Sequence, residues 1–257
     1  MARQLIDTHS RIHKDLRISI TDRCNFRCTY CMPEEGLEWT PREELLTFEE
    51  IERLASLLVH QFGIESIRLT GGEPTVRANL PDLINRLAKL PINLSMTTNG
   101  ATLSLMAKKL KDAGLNRINI SLDSLQRDRF NELTRRDNLE QVLEGISAAT
   151  SVGFDPVKIN MVVMKGINDD EILDFVEYGR ANNVTVRFIE FMPLDADEAW
   201  TDASVMPLTD ILDVISSKHK IVPMQRGSAP AAKWKYADGM GEIGVIATDT
   251  DGFCVSC

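Results

Sequence analysis

Cys24-Asn25-Phe26-Arg27-Cys28-Thr29-Tyr30-Cys31 is the stretch around which the rest of the chain is most easily understood. Its cysteines follow the spacing CxxxCxxC, tight enough for three thiolates to serve one metal centre. Soft thiolates select zinc or an iron–sulfur cluster over magnesium or calcium. Structural zinc takes four ligands, usually two close pairs of Cys or His, and none of His9, His13, His60 and His219 lies beside the cysteines. A cubane cluster normally takes four Cys, so three would leave one iron open to a small molecule. Arg23, Asn25, Arg27 and Thr29 interleave with the thiols, which makes the run too polar for buried cysteines packed as small hydrophobes. Met1 to Ser10 lack the apolar centre of a secretory segment, which argues against a disulfide framework.

The chain has 257 residues, 43% of them hydrophobic, and can bury the core of one α/β domain. With 29 basic and 38 acidic residues its formal charge is −9. That balance disfavours non-specific nucleic-acid binding and still permits a local basic pocket. No apolar run approaches the ~20 residues of a membrane span. A cytoplasmic location is expected, where thiols stay reduced.

Outward from the cysteines, Leu16 to Ile20 alternates as a short strand, so the cysteine loop follows a strand directly. Thr47 and Glu50 form a capping box ahead of helix-spaced Ile51, Leu54, Ala55, Leu58 and Phe62, and Gly63 ends that helix. Strands are predicted over Ile64 to Leu69, Leu94 to Thr97, Arg117 to Leu122, Val157 to Val163 and Thr185 to Phe191. Between them fall helices over about Leu80 to Leu90, from Leu103 to before Gly114, around Leu139 to Ile146, and around Ile172 to Gly179 with Asp169 or Asp170 as cap. Six strands alternating with helices imply parallel pairing through right-handed crossovers. The fold class is therefore α/β, with the sheet over residues 1–193 closing or partly closing as a barrel. A smaller region over 194–257 follows, with a helix at Leu208 to Ser217 and a strand at Ile243 to Ala247 that begins a smaller C-terminal layer.

In such barrels active sites gather where strands end, and each unusual loop here follows a strand: the cysteine loop, Gly71-Gly72-Glu73-Pro74, Thr97-Thr98-Asn99-Gly100, Ser121-Leu122-Asp123-Ser124 and Met192-Pro193. The glycines allow close backbone approach, though a tight strand-to-helix turn would use them equally. Arg17, Arg68, Lys158 and Arg187 sit on strands among apolar neighbours and must turn away from the packed face or meet an anion. Four cations aimed at one cavity would suit a triphosphate. Cys254-Val255-Ser256-Cys257 adds a CxxC pair, by itself a redox pair or half a zinc site.

The run from Leu16 through Cys24 to Met32-Pro33, with the motifs after it in the same order, resembles the radical S-adenosylmethionine (SAM) enzymes and among them the GTP 3′,8-cyclases of molybdenum cofactor biosynthesis. The resemblance implies a partial (β/α)6 barrel with an appended C-terminal region, and a 4Fe-4S cluster on Cys24, Cys28 and Cys31. It implies SAM held by Tyr30, Gly72, Glu73, Ser121 and Met192, and GTP contacted by Arg17, Arg68, Thr97, Lys158 and Arg187. Cys254 and Cys257 would be two ligands of a second 4Fe-4S cluster. The family continues to a third such cysteine, an arginine-rich segment and a Gly-Gly tail, so the chain is expected to be a C-terminally truncated member with an incomplete GTP site. An electron donor and the next pathway enzyme, cyclic pyranopterin monophosphate synthase, are the implied partners, with a homodimer as candidate assembly. A radical SAM enzyme acting on a peptide, or a non-catalytic iron–sulfur or zinc-binding fragment, are the alternatives.

Overall fold

The computed structural model describes residues 3–33, 35–193, 200–225, 230–247 and Thr250. Cys254 and Cys257 lie outside the described residues, so the expectations placed on them are carried no further structurally. In chain order the elements are β1 (Leu5–Ile6), β2 (Ile12–His13), β3 (Asp15–Ser19), α1 (Phe48–Phe62), β4 (Ser66–Thr70), α2 (Leu80–Leu87), β5 (Asn93–Thr98), α3 (Leu103–Asp112), β6 (Arg117–Ser121), α4 (Arg127–Thr134), α5 (Leu139–Ser151), β7 (Val157–Val163), α6 (Ile172–Asn182), β8 (Thr185–Glu190), α7 (Leu208–Ser216), β9 (Ile221–Pro223), β10 (Ala232–Tyr236) and β11 (Glu242–Ile246). Apart from the β1–β2 ribbon, the strand order is β3-β4-β5-β6-β7-β8-β11-β10-β9.

The chain folds as two compact units, each discontinuous in sequence. The first comprises residues 1–25, 38–119 and 141–155. In it β3, β4 and β5 pair in parallel, with Leu16 opposite Ile67 and Ile67 opposite Leu94. Side chains alternate across a strand, so Ile67, Leu69, Leu94 and Met96 all point to one face and are fully buried. The unit also buries the apolar stripes of α2 (Leu80, Leu83, Ile84 and Leu87) and α3 (Leu103, Ala107 and Leu110). α1 begins at the predicted capping box: Thr47 Oγ1 accepts the Glu50 N–H, and Glu50 returns a carboxylate to the Thr47 N–H. It ends where Gly63 turns left-handed at φ 73°.

The second unit comprises residues 26–37, 120–140 and 156–257. Here β7 and β8 pair in parallel, and β11 adds to β8 in the same sense, Ile243 opposite Val186. β10 and β9 then continue antiparallel. The strand predicted around Ile243 therefore pairs beside β8 in the same sheet, where a smaller C-terminal layer was expected to begin. α6 fits over β8 at Gly179, where a Cβ would stand 2.9 Å from a Val186 methyl carbon. The Asp169–Glu171 turn precedes α6, and neither aspartate caps it, since the residue at the cap is Glu171 with no side-chain bond. No described helix is long and apolar enough to cross a membrane.

Candidate active site

The boundary between the two units falls inside the cysteine loop, between Asn25 and Phe26, and each end of the loop is held by its own unit. In the first, β3 delivers the chain to Thr21-Asp22-Arg23-Cys24. The loop after β4 lies directly against it: Gly72 N–H donates to Thr21 O (2.7 Å) and Glu73 N–H to Arg23 O (2.8 Å). Gly71 has φ 148°, and a Cβ there would land on the Thr21 carbonyl oxygen. A Cβ on Gly72 would strike the Arg23 and Asp22 carbonyls. The close approach that these glycines permit is thus that of the chain's own cysteine loop.

Glu73 is 1% exposed, yet its carboxylate is fully engaged. It accepts from Thr75 N–H and hydroxyl, from the Thr98 hydroxyl and from Asn99 N–H, at 2.6 to 3.0 Å. Burial pushes its acid upward in pKa, while the Asn99, Thr98 and Thr75 donors oppose that. The side chain predicted to meet SAM therefore ties the loop after β4 to the loop after β5.

The polar faces of the same strands carry the predicted cations. Arg17 on β3 is the direct partner of Arg68 on β4, and Arg68 of Ser95 on β5. Thr97, two residues beyond Ser95, lies on that face by alternation. Burial, then the charges of Arg17 and Arg117, lower the Arg68 pKa. Its Nε is buried with no hydrogen-bond acceptor, which is costly for a guanidinium and suits a site built for an anion.

In the second unit, Arg27 N–H donates to Thr134 O and Thr29 N–H to Leu133 O, while Cys31 N–H closes a turn onto Cys28 O. Phe26 packs edge-on against Phe130 at 5.8 Å. Tyr30 donates its hydroxyl to Asp123 (2.5 Å) and sets its ring edge on Phe191 at 6.4 Å, the residue before Met192. Asp123 also accepts the Val162 N–H. Burial raises its pKa to about 6 against the pull of those two donors, and burial together with that carboxylate raises Tyr30. Ser121 ends β6, two residues before Asp123. Lys158 and Arg187 lie on the half-exposed face of β7 and β8, Lys158 opposite Thr185 and Arg187 opposite Asn160.

Sequence reasoning named the loops that carry Asn99 and Asp123 without giving either residue a role. An acid directly after the apolar run of β6 was the available signal for Asp123. Among the described residues no three His, Cys, Asp or Glu side chains stand together at metal-binding spacing. The fit to an iron–sulfur cluster rests on the donor set, three soft thiols within eight residues, of which Cys24 and Cys28 are half-buried and Cys31 exposed. It rests also on the glycines that seat the root of this loop.

Residues 18–179 match the radical SAM superfamily, and residues 184–257 match the family described as Molybdenum Cofactor Synthesis C. The GTP 3′,8-cyclase of Streptomyces coelicolor is 47% identical over 261 residues, spanning 100% of this chain and 76% of that protein. The chain belongs to the GTP 3′,8-cyclase family of radical SAM enzymes. The family's mitochondrial member from Arabidopsis thaliana is 46% identical, over 98% of this chain and 65% of its own length. Among solved structures, Streptococcus suis SuiB bound to S-adenosylmethionine gives a TM-score of 0.63 at 18% identity, covering 82% of this chain and 50% of that one. Methylornithine synthase gives 0.62 at 17% identity, covering 83% and 62%. These likenesses establish the fold of this cyclase-family chain as the expected α/β, parallel-dominated radical SAM type. Membership brings a 4Fe-4S cluster and SAM as cofactors.

Proposed function

We propose that this chain carries out radical SAM cyclisation of GTP to (8S)-3′,8-cyclo-7,8-dihydroguanosine 5′-triphosphate, the first step of molybdenum cofactor biosynthesis. Cys24, Cys28 and Cys31 hold the 4Fe-4S cluster, with Cys254 and Cys257 assigned to a second. When bound, the cluster and SAM supply the one-electron chemistry that removes a hydrogen atom from the ribose of the substrate. The protein's own part is binding and orientation. Tyr30, steadied by Asp123, is assigned to SAM, as are Gly72, Ser121 and Met192; Glu73 keeps two of the strand-end loops in fixed register. Arg17, Arg68 and Thr97, on one face of β3, β4 and β5, are assigned to the triphosphate of GTP; Lys158 and Arg187 are assigned to GTP as well. An external one-electron donor and the synthase that makes cyclic pyranopterin monophosphate complete the proposal, with 1–193 as the catalytic region and 194–257 as its C-terminal companion.

The observation that carries the reading is the Arg17–Arg68 row, two guanidinium groups side by side on parallel strands with a buried Nε that lacks an acceptor. Charged hydrogen bonds of this kind contribute about 1.5–3 kcal/mol, so Arg68→Ala should weaken GTP binding by about tenfold or more. The test is 5′-deoxyadenosine and cyclised-nucleotide formation by the anaerobically reconstituted, reduced protein with SAM, with and without GTP. SAM cleavage coupled to GTP consumption supports the proposal. Cleavage indifferent to GTP, or GTP affinity unchanged in Arg68→Ala, overturns the substrate assignment, and Cys28→Ala with unchanged iron content and SAM cleavage overturns the cluster assignment.

A further inference from the structure

We propose that Asn99 is a positioning residue for Cys24, fastening the first arm of the cysteine loop to the buried Glu73 carboxylate. The proposal rests on the assignment of Cys24 as a cluster ligand, and adds what holds that thiol in place. Asn99 makes three hydrogen bonds with three different partners. Its N–H donates to Glu73 Oε2 (2.6 Å), its Oδ1 accepts the Ala101 N–H (3.1 Å) and its Nδ2 donates to Asn25 Oδ1 (2.7 Å). The Ala101 contact fixes the carboxamide orientation, because a backbone N–H must meet the oxygen; the amino group is thereby left facing Asn25.

Cys24 is consequently gripped on both sides by one buried residue. On its N-terminal side the Arg23 carbonyl accepts the Glu73 N–H. On its C-terminal side Asn25 accepts from Asn99, whose own backbone is held by the Glu73 carboxylate. All of these groups lie within the first unit. With both neighbours of Cys24 tethered, few backbone conformations remain to the residue between them, and its thiol is presented from a limited set of positions before any metal arrives.

The test reads thiol geometry directly, in the full chain stripped of iron and kept reduced, by limited alkylation with iodoacetamide followed by mass spectrometry. Trypsin cuts after Arg23 and Arg27, so Cys24 sits on a peptide of its own, apart from Cys28 and Cys31. Asn99→Ala should raise the Cys24 alkylation rate about fivefold to tenfold, as expected for one lost hydrogen bond, and leave the Cys28–Cys31 peptide at the wild-type rate. Asn25→Ala should do the same, whereas Asn25→Asp, which keeps an oxygen to accept from Asn99, should retain the slow rate. The Asn25 pair reads the contact from its other end should Asn99→Ala fail to fold. An unchanged Cys24 rate in a variant that melts like wild type, or equal acceleration of all three thiols, overturns the proposal. Because no cluster, SAM or GTP takes part, the result stands apart from the catalytic test: selective acceleration in a chain that fails to turn over GTP would keep this inference and sink the other.

Discussion

Asp123 shows how one buried side chain sets a pH dependence. The unfolded carboxyl titrates near 3.8 and the folded one near 6. Between those values the folded protein keeps a proton that the unfolded chain releases, so this group's contribution to stability is present at about pH 4 and is lost as pH rises through about 6. The gap is worth about 2–3 kcal/mol at most. Urea unfolding of the iron-free chain from pH 4.5 to 7 should show this slope, and Asp123→Asn should flatten it; an unchanged slope in the variant would place the titration elsewhere. At Gly72 the conflict is steric. A methyl there meets two carbonyl oxygens of the cysteine loop, and overpacking of this kind costs about 1–3 kcal/mol. Gly72→Ala should therefore melt several degrees lower than wild type even without iron, and a variant melting at the wild-type temperature would mean that the loop can yield.

At the scale of elements, α5 is seated by close contact. A Cβ on Gly145 would stand 2.5 Å from the Gly100 carbonyl and 3.1 Å from Leu103 Cβ, so the helix lies directly against the loop that begins α3. Gly145→Ala gains intrinsic helix propensity of roughly 1 kcal/mol and should nevertheless destabilise the chain, by displacing α5; greater stability in the denaturation curve would refute the contact. The elements most legible in the sequence were those with complete local signals. β7 runs from Val157 to Val163 as its alternation predicts, and α1 starts and stops at its capping box and glycine. α4 was missed because Arg127 to Thr134 is largely charged and buries only Phe130, Leu133 and Thr134. β10, whose Ala232-Lys233-Trp234-Lys235-Tyr236 alternates in the manner of a strand, was left unassigned in the sequence reading. The pairing of β11 with β8 is a choice of partner, on which a single strand's pattern is silent. The same limit applied to the site: strand alternation exposed the Arg17 and Arg68 face, whereas bonds joining Asn25 to Asn99 and Tyr30 to Asp123 span 74 and 93 residues and leave no periodic trace.

For the molecule as a whole, a net charge of −9 opposes the approach of a highly charged triphosphate, while the cations that would bind it act at short range. At about 30 Å the unscreened repulsion is on the order of several kcal/mol, and it fades as the screening length falls to about 8 Å at physiological salt. GTP association should therefore quicken as salt rises from roughly 10 to 150 mM, the reverse of the usual behaviour of a basic binding surface. Stopped-flow rates that fall with salt over this range would show that local attraction governs the encounter. The interleaving of the two units bears on synthesis as well. The first unit takes its last helix from residues 141–155, after the chain has already contributed 26–37 and 120–140 to the other. A ribosome making this protein must release more than half of it before the first unit holds all its parts, so Cys24 emerges early and waits for its support. Neither unit can be cut out as one continuous fragment, and an effort to express the N-terminal portion alone would have to reach at least residue 155 to include the last segment of the first unit.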